Sequence, residues 1–597
     1  MIETFQKLLE ILPKSDRWKF VALFVLMMIG TALEVAGIGM IPVFISAVAD
    51  PDLVLEHQWL GEIAKYLGIT TGEELLLYGG IFLVVIFLVK GVYLVWFNYI
   101  KSKFIYNRFG KIASRLFETY LSAPYTLHLN RNTAELIRNV TNETRYISNN
   151  VMMPAMNVLK DSVTIVGIFV LLLFSEPLIT VITFSVIGGG GGLMIKFLRE
   201  KLRKYGVIAS RERSRMIQGV NEGLGGFKDV TVMNRKKMFF NKFKEYVNNL
   251  TEAEIFKGTA KASSKPIIEF ASVFGMIFIA FAMIWQDRPI STVVPVLTLF
   301  GAATVRLMPA VNRVVNQLTG LRYYIHALSP VHADLTSMEE YYLETKESSN
   351  NNEKLKFNNS IIVKDLWYKY PNTEDFVLKD INIKVPKNSA IGFVGSTGAG
   401  KSTIVDVILG LLSPDKGKVI VDETDISENK RAWQNNVGYI PQFIYLSDDT
   451  IRHNIAFGIP EELISEKKIN AAIEAAQLED FIQDLPEGID TVVGEEGVRL
   501  SGGQKQRIGI ARALYDNPDV LIMDEATSSL DNVTERKVIS AIEALKGERT
   551  IIMIAHRLTT VENCDVLYMM KDGKVIEKGT YDELLESSYD FQKMKLA

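Results

Sequence analysis

The C-terminal half of the chain contains residues of the types and spacing found in a phosphate-binding loop. A strand-like stretch, residues 390–394, leads into Gly395-Ser396-Thr397-Gly398-Ala399-Gly400-Lys401-Ser402 and then into an apolar stretch with helical spacing. Glycines allow backbone N–H groups to wrap a phosphate, the lysine adds positive charge, and the serine hydroxyl is a ligand for Mg²⁺. This loop therefore predicts a site for ATP with Mg²⁺.

A pair of carboxylates follows a second apolar, strand-like run. Residues 520–523 are Val-Leu-Ile-Met, and Asp524 and Glu525 come directly after them. Such a pair is often no more than a solvated strand end. Downstream of a phosphate loop in an open α/β sheet, it is the arrangement expected near the metal. We therefore expect Asp524 to hold Mg²⁺ and Glu525 to polarise the attacking water.

Between these two motifs lies a serine–glycine turn that opens a basic helix. It reads Leu500-Ser501-Gly502-Gly503-Gln504 and continues as Lys-Gln-Arg-Ile-Gly-Ile-Ala-Arg512. Free N–H groups and the positive end of the helix dipole make such a turn a good cradle for a γ-phosphate. The three motifs in this order resemble the ATPase domain of ABC transporters.

The resemblance implies roles for further residues at matching positions. The residues concerned are Thr403 in the nucleotide site, Tyr370 stacking on adenine, Gln442 near Mg²⁺ and the membrane domain, the exporter-type loop Thr491–Gly497, the loop Ser528–Asp531, and His556 contacting the γ-phosphate. Ser402, Gln442 and Asp524 would hold the metal. Lys401, Gln442, Glu525 and His556 would carry catalysis. No catalytic position departs from the family pattern, so a site competent for hydrolysis is expected.

Hydrophobic patterning divides the 597 residues into two domains. Residues 1–330 contain long apolar runs, residues 331–354 a linker, and residues 355–597 the pattern of a soluble α/β domain. Six runs are long enough to cross a membrane: 20–48, 75–99, 152–174, 178–197, 267–285 and 292–315. The start of the chain is expected to be an amphipathic surface helix and not a cleavable signal. The formal net charge of -3 gives no reason to expect nucleic acid as a partner.

Lysine and arginine are concentrated in residues 100–150 and 198–262, whereas residues 50–74 contain only Lys65. The positive-inside rule then places both termini, the two basic segments and the ATPase in the cytoplasm. Helical spacing in the basic segments predicts that the membrane helices continue beyond the bilayer. Stretches near their turns, about 128–137 and 219–230, are candidates to contact the ATPase.

The resemblance covers the whole chain and implies a domain-swapped ABC exporter: a bundle of six membrane helices joined to an α/β P-loop ATPase. In that family the serine–glycine turn of one subunit closes over the phosphate loop of another. A second copy of the chain is therefore the expected partner, and a heterodimer stays open. ATP-driven export or flipping is the expected function, in a bacterial inner membrane. A gated channel or regulator is the non-transport alternative.

Ionisable residues within the spans are candidates to bind the transported cargo. Lys90, Arg306 and Arg313 would suit an anionic headgroup, especially a diphosphate. The alternative is mutual pairing, such as Glu34 with Lys90, or snorkelling to the interface. Glu34–Pro42 and Val305–Arg313 resemble stretches of the lipid-linked oligosaccharide flippases of bacterial N-glycosylation, although Lys90 stands where arginine is expected. A polyprenyl-diphosphate-linked oligosaccharide is thus the first expectation, with lipid A, phospholipid or drug export as the alternative. Five glycines, Gly188–Gly192, should weaken the fourth span.

Overall fold

The chain divides into a helical unit and a mixed α/β unit. The computed structural model describes residues 10, 14–49, 51, 55, 61–62, 66, 68–69, 71–175, 177–286, 290–339, 341–343, 353–524, 532–555 and 557–596; a few side chains inside the helices, Arg306 among them, fall outside this description. The helical unit comprises Met1–Ala123 and Arg131–Tyr342, and the α/β unit comprises Pro124–Asn130 and Leu343–Ala597.

Long helices make up the first unit. Its α-helices are α1 (Lys14–Ala49), α2 (Gly72–Ser122), α4 (Thr133–Arg138), α5 (Thr144–Tyr146), α6 (Met153–Ser175), α7 (Pro177–Gly225), α8 (Phe227–Val232), α9 (Lys236–Ala262), α10 (Ser264–Trp285), α11 (Ile290–Tyr324) and α12 (Leu328–Ser337). Two π-helical turns, Asn139–Glu143 and Ile147–Met152, flank α5. The short helix α3 (Tyr125–Asn130) belongs to the second unit.

The helical unit has the apolar surface of a membrane protein. Among the described residues, four helical stretches are long and apolar enough to cross a bilayer: Trp18–Ile45, Gly72–Ser122, Thr133–Phe174 and Lys236–Trp285. The predicted fourth and sixth spans fall in α7 and α11, several of whose side chains are not described. Large apolar side chains such as Phe174 and Trp285 are exposed, while Leu172, Met283 and Phe300 pack in a buried core. This distribution suits helices that face lipid on one side.

The membrane helices continue far beyond the length needed to cross a bilayer, as predicted. Helix α2 has 51 residues and α7 has 49, so at 1.5 Å per residue each extends for roughly 75 Å. Thr71 and Glu74 form a capping box that fixes the start of α2. Helix α7 passes through Gly188–Gly192 without a break, and the expected weakening of this span by the glycines stays a prediction. A Cβ atom at Gly188, Gly189 or Gly192 would meet no atom within 4 Å, so close packing does not require glycine at these three.

Some predicted features lie outside the described residues. These are the N-terminal surface helix, apart from Glu10, and most of the external loop 51–74. The domain bounds stay a prediction: α12 spans the boundary at residue 330, and residues 344–352 of the linker are not described.

Two sheets form the α/β unit. The strands are β1 (Ser360–Tyr368), β2 (Leu378–Pro386), β3 (Ala390–Val394), β4 (Lys416–Val421), β5 (Thr424–Asp425), β6 (Val437–Ile440), β7 (Val520–Asp524), β8 (Thr550–Ile554), β9 (Val566–Lys571) and β10 (Lys574–Gly579). The helices are α13 (Lys401–Ile408), α14 (Lys430–Gln434), α15 (Ile451–Ile455), α16 (Glu466–Ala475), α17 (Glu479–Gln483), α18 (Gly502–Leu514), α19 (Asn532–Glu543), α20 (Tyr581–Ser587) and α21 (Tyr589–Leu596).

The larger sheet positions the predicted ATP site. Its strand order is β10-β9-β3-β8-β7-β6, parallel throughout except for β10 at one edge, whereas the smaller sheet β2-β1-β4-β5 is antiparallel. All five residues of β3 are buried, as expected of a parallel strand covered on both faces. The carboxyl ends of β3, β6 and β7 meet at one edge, where open α/β sheets bind ligands.

Candidate nucleotide-binding site

The phosphate loop runs from the end of β3 to the start of α13. Gly400 caps the helix with φ of +101°, and a Cβ atom there would lie 2.8 Å from the side chain of Leu378. Only glycine fits this position. Lys401 is buried, and its ammonium group donates to the carbonyl oxygens of Gly395 at 2.8 Å and Ser396 at 3.0 Å. The loop is therefore already curled around the positive charge that phosphate requires.

Tyr370 reaches the phosphate-loop helix. Its hydroxyl oxygen lies 3.1 Å from the hydroxyl oxygen of Thr403, and its ring meets that of Tyr368 edge-on at 5.2 Å. Two residues predicted from separate motifs are thus brought together. The contact holds an aromatic ring beside the phosphate loop, and the stacking of Tyr370 on adenine stays a prediction.

A half-buried carboxylate, Asp406, lies behind the loop, and the sequence-based prediction missed it. Burial and the neighbouring charge of Asp524 raise the pKa of Asp406 to about 6. Burial, followed by the charges of Asp524 and Asp406, also raises the pKa of Tyr439 on β6. A single aspartate in the apolar run Ile404–Leu409 is the signal that could have revealed this residue.

The residues predicted to bind Mg²⁺ offer oxygen donors. Asp524 ends β7, Ser402 lies in the first turn of α13, and Gln442 follows β6 at the same sheet edge. Oxygen ligands suit Mg²⁺, which commonly uses one or two carboxylates together with substrate phosphates. The mutual repulsion of Asp406 and Asp524 also favours a cation here. The donor set therefore fits Mg²⁺. Among the described residues, no group of three or more His, Cys, Asp or Glu side chains is placed to hold a metal ion.

The serine–glycine turn caps its helix as predicted. The Ser501 hydroxyl accepts from the Gln504 N–H at 3.3 Å, and the Gln504 side chain accepts from the Ser501 N–H at 2.7 Å. This reciprocal capping box orders the N-terminus of α18, where Gly502 and Gly503 present backbone N–H groups. Lys505 donates to the carbonyl oxygen of Glu496 at 2.7 Å and so ties the loop Thr491–Gly497 to the same helix.

The other catalytic predictions fall outside the described residues. Glu525, the loop Ser528–Asp531 and His556 are not part of the described ranges, which end at Asp524 and Ala555 and resume at Asn532 and Arg557. Their roles stay predictions.

The membrane residues predicted to meet cargo have different surroundings. Lys90 is buried, and its ammonium nitrogen lies 4.9 Å from the centre of the Phe87 ring. Arg313 forms a bidentate ion pair with buried Asp161, at 2.8 and 3.0 Å. The carboxylate of Glu34, the suggested partner of Lys90, accepts from the hydroxyl of Thr164 at 3.2 Å. Asp161 is thus a partner that the sequence-based prediction missed, although it is an acid within the predicted third span.

Two protein families match the chain, one in each half. The family described as ABC transporter transmembrane region matches residues 20–307, and the family described as ABC transporter matches residues 378–528. The chain is an ABC transporter. This ABC transporter has the exporter fold: a solved structure of a bacterial Atm1-family ABC exporter with ATP bound superposes with a TM-score of 0.75 at 22% identity, over 97% of this chain and 98% of that one.

Curated relatives extend this picture across both domains of the ABC exporter. ATP-dependent lipid A-core flippases are similar to it: that of Photorhabdus laumondii subsp. laumondii is 28% identical over 79% of this chain and 80% of its own. The flippase of Idiomarina loihiensis is 29% identical over 86% and 87%, and that of Cupriavidus pinatubonensis 28% identical over 95% and 92%. The exporter is a multi-pass membrane protein that binds ATP and couples its hydrolysis to transport. The resemblance to oligosaccharide flippases is more specific than these relatives support.

Proposed function

We propose that this ABC exporter flips a phosphorylated glycolipid of the lipid A-core class across a bacterial inner membrane. The observation that carries the proposal is the similarity to lipid A-core flippases over 79–95% of the chain, which includes both the membrane and the ATPase domains. A homodimer is the proposed assembly, because one chain contributes one phosphate loop and one serine–glycine turn.

A polyprenyl-diphosphate-linked oligosaccharide is the second candidate. It is favoured by the sequence of Glu34–Pro42 and Val305–Arg313, which resembles the oligosaccharide flippases. Both cargoes combine an apolar tail with phosphate and sugar, so both would suit cations in the membrane domain. Lys90, Arg306 and Arg313 remain the proposed contacts. Arg313 would have to share its guanidinium group between Asp161 and the cargo.

Each of the ATPase residues would have its own role toward bound ATP. Lys401 would exchange the carbonyl oxygens of Gly395 and Ser396 for phosphate oxygens, because an anion is the stronger acceptor. Tyr370 would stack on adenine from its position beside Thr403. Glu525 would polarise the attacking water, and His556 would support the γ-phosphate.

The metal and the second subunit would complete the site. Mg²⁺ held by Ser402, Asp524 and Gln442 would neutralise charge on the transferred phosphate. Ser501 and the N–H groups that follow it would bind the ATP of the partner subunit. These shared contacts would hold the two ATPase domains together. This closure does work only because ATP binds the closed state more tightly than the open one. Hydrolysis would remove the γ-phosphate contacts between the two domains and return the exporter to its open state.

Lipid-stimulated ATPase activity separates the two cargoes. The purified exporter in nanodiscs would be titrated with lipid A-core, with a polyprenyl-diphosphate oligosaccharide and with phosphatidylglycerol. We expect saturable stimulation by lipid A-core at the lowest concentration. Stimulation by the polyprenyl diphosphate alone would transfer the proposal to the second candidate, and equal stimulation by all three would remove both.

A further inference from the structure

Four polar side chains form a cluster around a buried carboxylate in the helical unit, which we name the Asp334 clasp. Its members are Tyr120, Arg131, Asn139 and Asp334. One carboxylate oxygen of Asp334 accepts from Arg131 at 2.7 Å, and the other accepts from the Tyr120 hydroxyl at 2.6 Å. The Asn139 amide donates to the Tyr120 hydroxyl at 3.2 Å and to Asp334 at 3.3 Å. Asp334 is only 2% exposed, and Tyr120 and Asn139 are also buried, whereas the Arg131 side chain is 33% exposed.

The clasp lies where the chain leaves one unit for the other. The chain passes between the two units three times: after Ala123, after Asn130 and after Tyr342. Tyr120 stands about one helical turn before the first passage. Arg131 is the residue at which the chain returns. Asp334 lies in α12, the last helix of ten or more residues before the third passage. The Asp334 carboxylate, which itself precedes the third passage, therefore binds residues that flank the first two passages.

The chemistry of the clasp makes it rigid. A buried carboxylate requires charge-assisted partners, and these bonds are shorter and stronger than neutral ones. Burial, and then the hydrogen bond to Asp334, raise the pKa of Tyr120, so its hydroxyl stays a donor at every physiological pH. The neighbouring ion pair between α2 and the chain after α12, Arg115–Glu339, has a similar length of 2.8 Å but is open to solvent. An exposed pair of this kind contributes little.

A purely structural role is the alternative, because removing one partner of a buried ion pair destabilises a fold. That role explains burial, but it does not explain why both flanks of Pro124–Asn130 and the helix before the third passage converge on one residue. Segments that must move together need a stiff joint, because a loose one would dissipate the motion.

We propose that Asp334 is a positioning residue for energy coupling: it joins the flanks of the 124–130 segment to α12, so that ATP-driven movement of the ATPase reaches α2 and the helices after Arg131. The residue acts through Tyr120, Arg131 and Asn139 and does not contact ATP. The proposal rests on ATP-driven transport but not on the identity of the lipid.

The test compares Asp334→Asn with Glu339→Gln, its solvent-exposed counterpart in the same part of the fold. Both are reconstituted in liposomes, and the ATPase rate and the rate of lipid flipping are measured on the same preparation. We expect Asp334→Asn to keep ATPase activity within about twofold of wild type while its flipping falls about tenfold, the loss of one coupling free energy of ordinary size. Glu339→Gln should keep the ratio of flipping to hydrolysis.

A second readout needs no cargo. Spin labels at Leu77 and Ile284, which are exposed in α2 and α10, report the distance between two membrane helices; Cys564 is buried and stays in place. In a Glu525→Gln background, ATP should change this distance in the chain with an intact clasp and leave it unchanged in Asp334→Asn, with ATP affinity equal in both. If ATP changes the distance in the variant with an intact clasp but the wild-type chain does not flip the lipid, the result counts against the proposed cargo and not against the clasp.

Two outcomes would overturn the clasp. One is an unchanged ratio of flipping to hydrolysis, with an unchanged distance response, in Asp334→Asn. The other is an equal loss of both activities together with a lower unfolding temperature, which would mark a structural residue. If Asp334→Asn does not fold, Tyr120→Phe removes one donor and keeps the ion pair. It should lower the ratio in the same direction by a few fold, and an unchanged ratio in that variant would also refute the proposal.

Discussion

The Lys401 ammonium group donates to the carbonyl oxygen of Gly395 at 2.8 Å, six residues earlier in the same loop. A second bond runs to the carbonyl oxygen of Ser396 at 3.0 Å, so two backbone carbonyls hold the ammonium group. Neutral carbonyls are weaker acceptors than phosphate oxygens. The loop therefore holds the lysine in readiness without binding it so firmly that ATP could not compete.

Replacing Lys401 with Met should abolish this exchange. We expect ATP affinity to fall at least about tenfold, because a hydrogen bond to a charged group contributes roughly 1.5–3 kcal/mol. ATP binding would be measured by calorimetry on the detergent-solubilised protein. The matched control is Lys571→Met on β9, whose ammonium group pairs with Asp590 at 2.8 Å on the surface. Equal affinity in Lys401→Met and wild type would contradict the proposed role.

The ATP site shows which features can be predicted from the sequence and which cannot. The loop, the carboxylates and the serine–glycine turn could be located because each requires particular residue types at fixed spacing. Asp406 could not be placed, since its effect depends on how α13 packs behind the loop beside Asp524. The partners of Arg313 and Asp334 were also beyond prediction. Asp161 and Tyr120 lie far from them in sequence and meet them only when the helices pack.

The fold itself was predictable where apolar periodicity is long. The extended helices α2 and α7 follow from uninterrupted helical spacing. Helix α7 continues through Gly188–Gly192, because glycine lowers helix propensity locally while a long helix is supported by its two ends and by its neighbours. The nature of the cargo could not be fixed either, since its recognition depends on a few side chains and not on a motif.

Asp406 should make the stability of the ATP-free protein fall as pH rises. Its pKa is raised from 3.8 to about 6, so the folded state binds this proton more tightly than the unfolded chain does. The stability that it contributes is complete below pH about 4 and is lost as pH rises through 6. Asp406→Asn should therefore unfold at a higher temperature than wild type at pH 7.5, by the equivalent of about 1–2 kcal/mol after allowance for solvent screening.

The comparison would be made by thermal unfolding without nucleotide or metal between pH 4.5 and 7.5. The difference between Asp406→Asn and wild type should shrink toward the acidic end. Asp516→Asn, which removes an exposed carboxylate paired with Lys468, is the control and should show no such trend. A difference that is constant with pH would contradict the assignment.

Cys564 should be unreactive in the folded protein. Burial raises the pKa of its thiol to about 12, so almost no thiolate exists at pH 8. Labelling with a thiol-specific disulfide reagent should be at least about 100-fold slower in the native exporter than in the denatured chain. Because the chain has a single cysteine, the reaction is read without background. Complete labelling of the native protein within the time needed for the denatured chain would show that the thiol is accessible.

The Arg313–Asp161 pair should be a structural requirement of the membrane domain. Arg313→Ala leaves the Asp161 carboxylate buried without its guanidinium partner, which should lower stability by roughly 1–3 kcal/mol, less than for a fully buried pair because Arg313 is half exposed. The double variant Asp161→Asn with Arg313→Gln should recover most of this loss. Thermal unfolding in nanodiscs is the measurement, with Lys265→Ala of the exposed Lys265–Glu269 pair as control. If the double variant were as unstable as Arg313→Ala, the pair would not be the cause.

Movement of lipid between leaflets tests the central claim most directly. Purified exporter would be reconstituted in liposomes that contain labelled lipid A-core in one leaflet, and ATP would be supplied on the side of the ATPase domains. The account predicts ATP-dependent transfer to the opposite leaflet by the intact protein and none by Glu525→Gln, which should bind ATP without turning it over. Absence of transfer by an intact protein that still hydrolyses ATP would contradict the account, as would equal transfer by Glu525→Gln.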